Sequence, residues 1–279
     1  MRRMPTRRWT LLLSAMVAPL VACQLLVGLG EPPTEPVRDD AAVAAGDADA
    51  ATGATDAPSS SGYAAAVLAD QPVAYYRLDE KAGAACADSS GNGNTANLGG
   101  AFVRARPTLL AGGDGASVHL GDGAGLVLDP KLDFDFTRDY TFELWFRGDA
   151  AGGDGQIFGN IEGVGGDLSG TNLYLKPTFP FVGFERWAKT LVRYCHVEQA
   201  VVPGPGNALF VAVVSRAGTP TIFVNGVGYV GHFGATSAAF VARSLFLGRL
   251  AGDYGELAIY DKALGDVRIA AHYALGRGN

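Results

Sequence analysis

The chain has 279 residues, room for one large or two small domains. Charged residues make up only 18% and glycines number 39, a balance that suits a turn-rich extracellular β protein. The net charge of −6 lacks the basic footprint of a nucleic-acid binder, so that class of partner is excluded.

The N-terminus carries the first signal. Arg2, Arg3, Arg7 and Arg8 form a basic patch, and an apolar stretch runs from Leu11 to Ala22. This is the layout of a secretory signal peptide, read over residues 1–22. It closes on Leu20-Val21-Ala22-Cys23, which resembles the lipobox of bacterial lipoproteins. That resemblance implies a lipid on Cys23 and a membrane anchor there. Gln24 follows in place of aspartate, which by the same resemblance implies an outer-membrane lipoprotein of the bacterial cell envelope. Residues 11–30 are also about long enough to span a bilayer, so an uncleaved anchor stays open, as does plain secretion. Thr6-Arg7-Arg8-Trp9-Thr10-Leu11 faintly resembles a twin-arginine signal, which leaves the export route open too.

Residues 31–61 are rich in Ala, Asp, Pro, Thr, Gly and Ser and hold no aromatic residue. Such a stretch cannot bury enough apolar surface to offset its ordering entropy. Residues 23–61 are therefore expected to be a lipid-anchored disordered linker, with a stalk reaching about 30 Å on average.

Residues 62–279 read as one domain. A short helix is expected at Tyr63–Ala69. Strands are expected at Val73–Leu78, Ser117–Leu120, Gly125–Leu128, Tyr140–Phe146, Gln156–Gly159 and Asn172–Leu175. Later ones are Leu191–Val197, Leu209–Val214, Thr221–Val224, Val227–Tyr229, Leu245–Leu247 and Glu256–Tyr260. Apolar runs separated by Gly, Asp, Asn and Pro clusters point to a sandwich or barrel. Asn225-Gly226 is a strong hairpin turn. In Thr141–Phe146 both alternating faces are largely apolar, which predicts a central strand covered on both sides. A final helix is expected over Asp266–Leu275, with Val267, Ile269, Ala270 and Tyr273 on its apolar face.

Several segments, in order, carry a family resemblance. They are Tyr63–Asp70 with Pro72–Glu80, the loop Asp88-Ser-Ser-Gly-Asn-Gly-Asn94, Thr141–Phe146, Ile222–Gly226, and Gly255–Leu264 ahead of Ile269–Tyr273. Together they resemble laminin-G-like, concanavalin A-like jelly-roll domains. The resemblance implies an all-β fold: a two-sheet antiparallel jelly-roll sandwich with a short C-terminal helix. Residues 148–206 fit the pattern poorly.

Asp88, Ser90, Asn92 and Asn94 offer oxygens at alternating positions, a spacing that suits Ca²⁺. The twelfth position is Gly99, so this is no EF-hand. The family resemblance implies a structural Ca²⁺ between this loop and the closing strand, with Glu256 completing the site. A tight polar turn without an ion is the alternative.

For ligands, Phe181 and Trp187, with Glu185 and Arg186 at hand, could line a sugar-binding groove, and Tyr254 is a weaker candidate. The alternative is that these rings are core. Three cysteines occur; with Cys23 lipidated, Cys86 and Cys195 can pair as a disulfide worth about 4–5 kcal/mol at most. Two unpaired buried thiols are the alternative. No catalytic residue stands out: G-x-S-x-G, H-E-x-x-H and P-loop motifs are absent, and the four His residues show no ligand spacing. Glu143-Leu-Trp-Phe-Arg-Gly-Asp149 lacks the E-x-D-x-x-E spacing of the β-glucan hydrolases of this fold. The expected function is a surface-exposed, membrane-tethered, non-catalytic binding or adhesion module for a glycan or a cell-surface protein. The alternatives are a purely structural envelope lipoprotein and, behind it, a glycoside hydrolase.

Overall fold

The computed structural model describes residues 62–113, 115–134, 138–149, 155–162, 168–176, 181–188, 190–197, 206–230 and 242–278. The signal peptide (1–22), Cys23 and the linker (23–61) lie outside the described residues.

The elements run in chain order as α1 (Gly62–Ala69), β1 (Ala74–Tyr76), β2 (Ala85–Cys86), β3 (Ala96–Gly99), β4 (Phe102–Pro107), β5 (Ala116–Leu120) and β6 (Gly125–Val127). There follow β7 (Tyr140–Gly148), β8 (Gly155–Gly159), β9 (Ser169–Lys176), β10 (Phe181–Ala188), β11 (Thr190–Val197) and β12 (Leu209–Arg216). The chain ends with β13 (Thr219–Val224), β14 (Val227–Val230), β15 (Phe246–Gly248), β16 (Gly252–Tyr260) and α2 (Asp266–Gly276). Every strand and helix expected from the sequence is present. Four strands were not expected: β2, β3, β4 and β10.

The strands form two antiparallel sheets stacked as a sandwich. Sheet A has the order β14-β13-β12-β7-β16-β5-β4, with β1 also paired to β16. Sheet B has the order β11-β10-β9-β8-β15-β6-β3-β2. The β13–β14 hairpin turns at Asn225 and Gly226, whose φ angles of 50° and 81° are the positive pair that this tight turn requires.

Strand alternation sends one set of side chains between the sheets. Tyr76, Leu78, Phe142, Leu144, Phe146, Phe158, Leu173, Phe184, Val211 and Leu257 meet there in the main core. The outer face of sheet A builds a second core with the helices. Tyr63 and Val67 of α1 and Ile269 of α2 pack against Tyr75, Trp145, Phe210, Phe223 and Tyr260. This explains why β7 is apolar on both faces: the cover on its outer side is the helix pair. The α2 face differs from expectation. Val267 is 82% exposed, whereas His272 is fully buried.

Each open side of the sandwich is closed by a side chain. On one side, the Arg104 guanidinium reaches from β4 to the other sheet. It donates to the Gly83 and Ala85 carbonyls at 3.1 and 2.9 Å and to Glu80 at 2.7 Å, and it touches the Cys86 sulfur at 3.1 Å. On the other side, the Cys195 thiol of β11 donates to the Tyr229 carbonyl of β14 at 3.2 Å. The expected Cys86–Cys195 disulfide is therefore corrected. The two residues sit on opposite edge strands of sheet B. At about 4.8 Å per strand they stand roughly 30 Å apart, against the ~7 Å limit for a bridge. Cysteine parity could not reveal this, because it says nothing about which strands are neighbours.

Candidate functional site

The loop after β2 is held by Asp88. One carboxylate oxygen accepts the amide N–H of Tyr75 at 2.9 Å and of Ser90 at 3.0 Å. The other accepts the Asn94 amide at 2.9 Å. Burial pushes the Asp88 carboxyl up, but the Ser90 hydroxyl and these amides outweigh it and hold the group below the usual carboxylate range. The side-chain amides of Asn92 and Asn94 both donate to the Val73 carbonyl, at 3.2 and 2.7 Å. The Ser90 hydroxyl oxygen lies 3.4 Å from the same carbonyl.

Glu256 is elsewhere. It sits at a bulge in β16 with φ 57°, is buried, and accepts the Tyr75 hydroxyl. Asp88 and Glu256 thus grip opposite ends of Tyr75 and do not converge. Ca²⁺ takes 6–8 oxygens at about 2.3–2.6 Å. The five residues expected to hold it do not fit such a cage as arranged: the Asp88 oxygens face N–H groups and Glu256 is on another face. Asp88→Ala is expected to cost about 2–3 kcal/mol, since it orphans three amides. In wild type, millimolar Ca²⁺ is expected to leave the melting temperature unchanged. Thermal melts of both proteins with Ca²⁺ and with chelator check this; a Ca²⁺-dependent rise would restore the cation reading.

The outer face of sheet B offers different chemistry. Register brings Gln156, Tyr174 and Gly183 into one row across β8, β9 and β10, and Asn172 and Glu185 into the next. Trp187 follows on β10, past Glu185 on the same face. One Glu185 oxygen accepts the Tyr174 hydroxyl at 2.7 Å, and the other accepts the Trp187 indole N–H at 3.0 Å. Gly183 is required here, because the Tyr174 ring lies over it: a Cβ would come within 2.3 Å of that ring. Burial, then the bond to Glu185, raises the Tyr174 phenol well above its ordinary value. Lys176 stands 5.7 Å from the same ring, a cation over its face. The Gln156 amide lies along Gly159, opposite Asn172. Among the described residues, neither Gln156 polar atom nor the Asn172 carbonyl oxygen has a hydrogen-bond partner.

The sequence-predicted ligand residues separate accordingly. Trp187 is half-buried on this face beside Glu185. Arg186 faces inward by strand alternation, bonded to Thr171 at 3.0 Å and 3.9 Å from the buried Asp133. Tyr254 is corrected to core: it is fully buried against Phe146 at 4.8 Å, and its hydroxyl donates to the Leu250 carbonyl at 2.7 Å. The Phe181 side chain lies outside the described residues. Sequence reasoning missed Tyr174 and Gln156, which only strand register brings beside Glu185.

A second polar group, also unforeseen, lies beneath the helices. His272 Nδ1 is 3.0 Å from both Glu143 oxygens, and its Nε2 is 3.1 Å from Asp70. Tyr63 and Tyr260 donate to Glu143 at 3.3 Å each, and Arg268 holds Asp70 at 2.9 Å. Burial alone would lower the His272 imidazole. The Glu143 hydrogen bond, with the charges of Glu143 and Asp70, outweighs it and raises the group above its ordinary value. Burial pushes Glu256 in the same layer up to about 7, against the Tyr75 bond and the Arg77 charge.

A family model for the concanavalin A-like lectin/glucanases superfamily matches residues 120–270, from the end of β5 into α2. The chain belongs to this superfamily. No curated protein matches this superfamily member. Solved structures do. The binding domain of botulinum neurotoxin DC in complex with rat synaptotagmin II is similar over 75% of this chain and 52% of that one, with 12% identity and a TM-score of 0.56. The same domain in complex with SialylT gives 75%, 52%, 12% and 0.54. The binding domain of botulinum neurotoxin serotype D gives 74%, 52%, 13% and 0.54. The chain spans about half the length of these structures, and at such identities the likeness is one of fold. The superfamily's name covers lectins and glucanases alike. Glycoside hydrolysis by the usual route needs two carboxylates flanking the bond. On the described strands of the sheet B outer face, Glu185 is the single acidic residue.

Proposed function

We propose that this superfamily member is a non-catalytic binding module displayed at a cell surface, with the outer face of sheet B as its recognition surface. The carrying observation is the Trp187–Glu185–Tyr174 arrangement. One carboxylate fixes a half-buried indole and a buried phenol side by side on one face of sheet B. Aromatic rings oriented by a few polar groups suit the apolar faces and hydroxyls of sugars. Glycans are therefore the preferred ligand class, and a cell-surface protein is the other. The structural neighbours captured with SialylT and with synaptotagmin II support a binding role of either kind. That Glu185 is the one carboxylate on the described strands of this face supports binding without catalysis.

The module is tethered through lipid on Cys23, with residues 23–61 as the stalk, at the outer membrane of a bacterial envelope. The lipobox-like Leu20–Cys23 supports this reading. Palmitate labelling of the full chain checks it: Cys23→Ser is expected to abolish incorporation.

A glycan array with residues 62–279, with and without Ca²⁺, tests the recognition surface. Wild type is expected to bind, and Trp187→Ala to weaken binding about tenfold or more. Wild type that binds neither glycans nor cell-surface protein would leave a purely structural envelope lipoprotein.

A further inference from the structure

The buried His272 has no part in the recognition surface, yet it is the hub of the contacts between three elements. Both His272 and Glu143 are 0% exposed. Glu143 and Tyr260 face the imidazole from sheet A, Tyr63 from α1, Asp70 from just beyond α1, and Arg268 lies one turn back on α2. Further along the same layer are Glu256, Tyr75, Arg77 and Asp79.

With both ring nitrogens protonated, His272 donates from Nδ1 to Glu143, and its charged Nε2 lies 3.1 Å from Asp70, an ion-pair contact without hydrogen-bond alignment. The charges of His272 and Arg268 then balance those of Glu143 and Asp70. Loss of one proton turns a ring nitrogen into a lone pair facing a carboxylate oxygen, and it leaves a buried negative charge uncompensated. We propose that His272 is an acid-closed latch: protonated, it holds the α1–α2 pair on sheet A, and deprotonation shifts the pair toward an open state.

The helices are suited to this. An eight-residue helix such as α1 has little stability of its own and depends on docking. Opening uncovers the apolar floor of Trp145 and Phe210 beneath them. The sign follows from the raised imidazole. The latch contributes fully below the ordinary histidine range and is lost as pH rises through the docked value. Within that window the open fraction grows up to tenfold per pH unit. Glu256 titrates in the same direction and needs its own control.

Amide hydrogen exchange of the detergent-solubilised full chain at pH 5.5, 7 and 8.5, corrected for intrinsic rates, tests the latch. Wild-type α1 and α2 are expected to lose protection by tenfold or more as pH rises, while β7 and β12 keep theirs. The step is expected to vanish in His272→Gln and to persist in Glu256→Gln. Helix protection that does not vary with pH in wild type, or a step that survives in His272→Gln, would overturn the proposal. If His272→Gln does not fold, imidazole ¹⁵N shifts of wild type decide: a ring already neutral at pH 5.5 would equally overturn it.

Discussion

Glu143→Ala is expected to destabilise the domain by about 3–5 kcal/mol, the usual cost of removing one partner of a buried ion pair. Glu143 is fully buried in the middle of β7, and its carboxylate accepts from Tyr63, Tyr260 and His272. Its removal leaves a buried imidazole and two hydroxyls without their acceptor and opens a cavity between sheet and helices. For a domain of this size that corresponds to a melting shift of roughly 6–20 °C. Glu143→Gln keeps an acceptor and most of the volume and is expected to lose less. Urea denaturation at pH 6 measures both. A loss below about 1 kcal/mol for the alanine variant would show that the layer beneath the helices reorganises around the gap.

Arg104→Met is expected to cost about 2–4 kcal/mol. The Arg104 side chain is only 5% exposed, and its one guanidinium serves Glu80, Gly83 and Ala85 at the open side of the sandwich. Methionine matches the stem but leaves those acceptors facing an apolar group. Arg104→Lys is expected to recover only part, because an ammonium cannot span a fork of acceptors. The local readout is Cys86, which Arg104 covers. Burial raises its thiol and Arg104 holds that rise in check, so the thiol is expected to react more slowly with a thiol reagent in the methionine variant than in wild type. An unchanged rate would place the lost stability elsewhere.

The fold was largely legible because its signals are local. Thr141–Phe146 shows its two apolar faces directly, and Asn225-Gly226 names its own turn. The missed strands lack such signals. β2 has two residues, and β4 is mostly exposed, so neither carries an apolar period. β10 reads as an aromatic loop until pairing with β9 and β11 shows the inward set Val182, Phe184 and Arg186. The sites were legible only in part because they are built from distant positions. Glu143 lies in a largely apolar strand and His272 on the final helix. Their meeting depends on a separation of 129 residues that no spacing rule reaches. Glu256 failed the other way. Its place in the closing strand was foreseen, but the bulge at Gly255–Ala258 turns its carboxylate toward Tyr75.

The closure of the two open sides has a consequence for crowding. Unpaired strand edges are templates on which neighbouring copies of a protein add strand to strand and polymerise. Here edge strands β11 and β14 meet at the Cys195–Tyr229 contact, which occupies one edge carbonyl. Edge strand β4 carries Arg104, Arg106 and a terminal Pro107, and β2 offers only two residues, with the Ala85 carbonyl taken by Arg104. These features disfavour strand-to-strand addition between copies even where they crowd together.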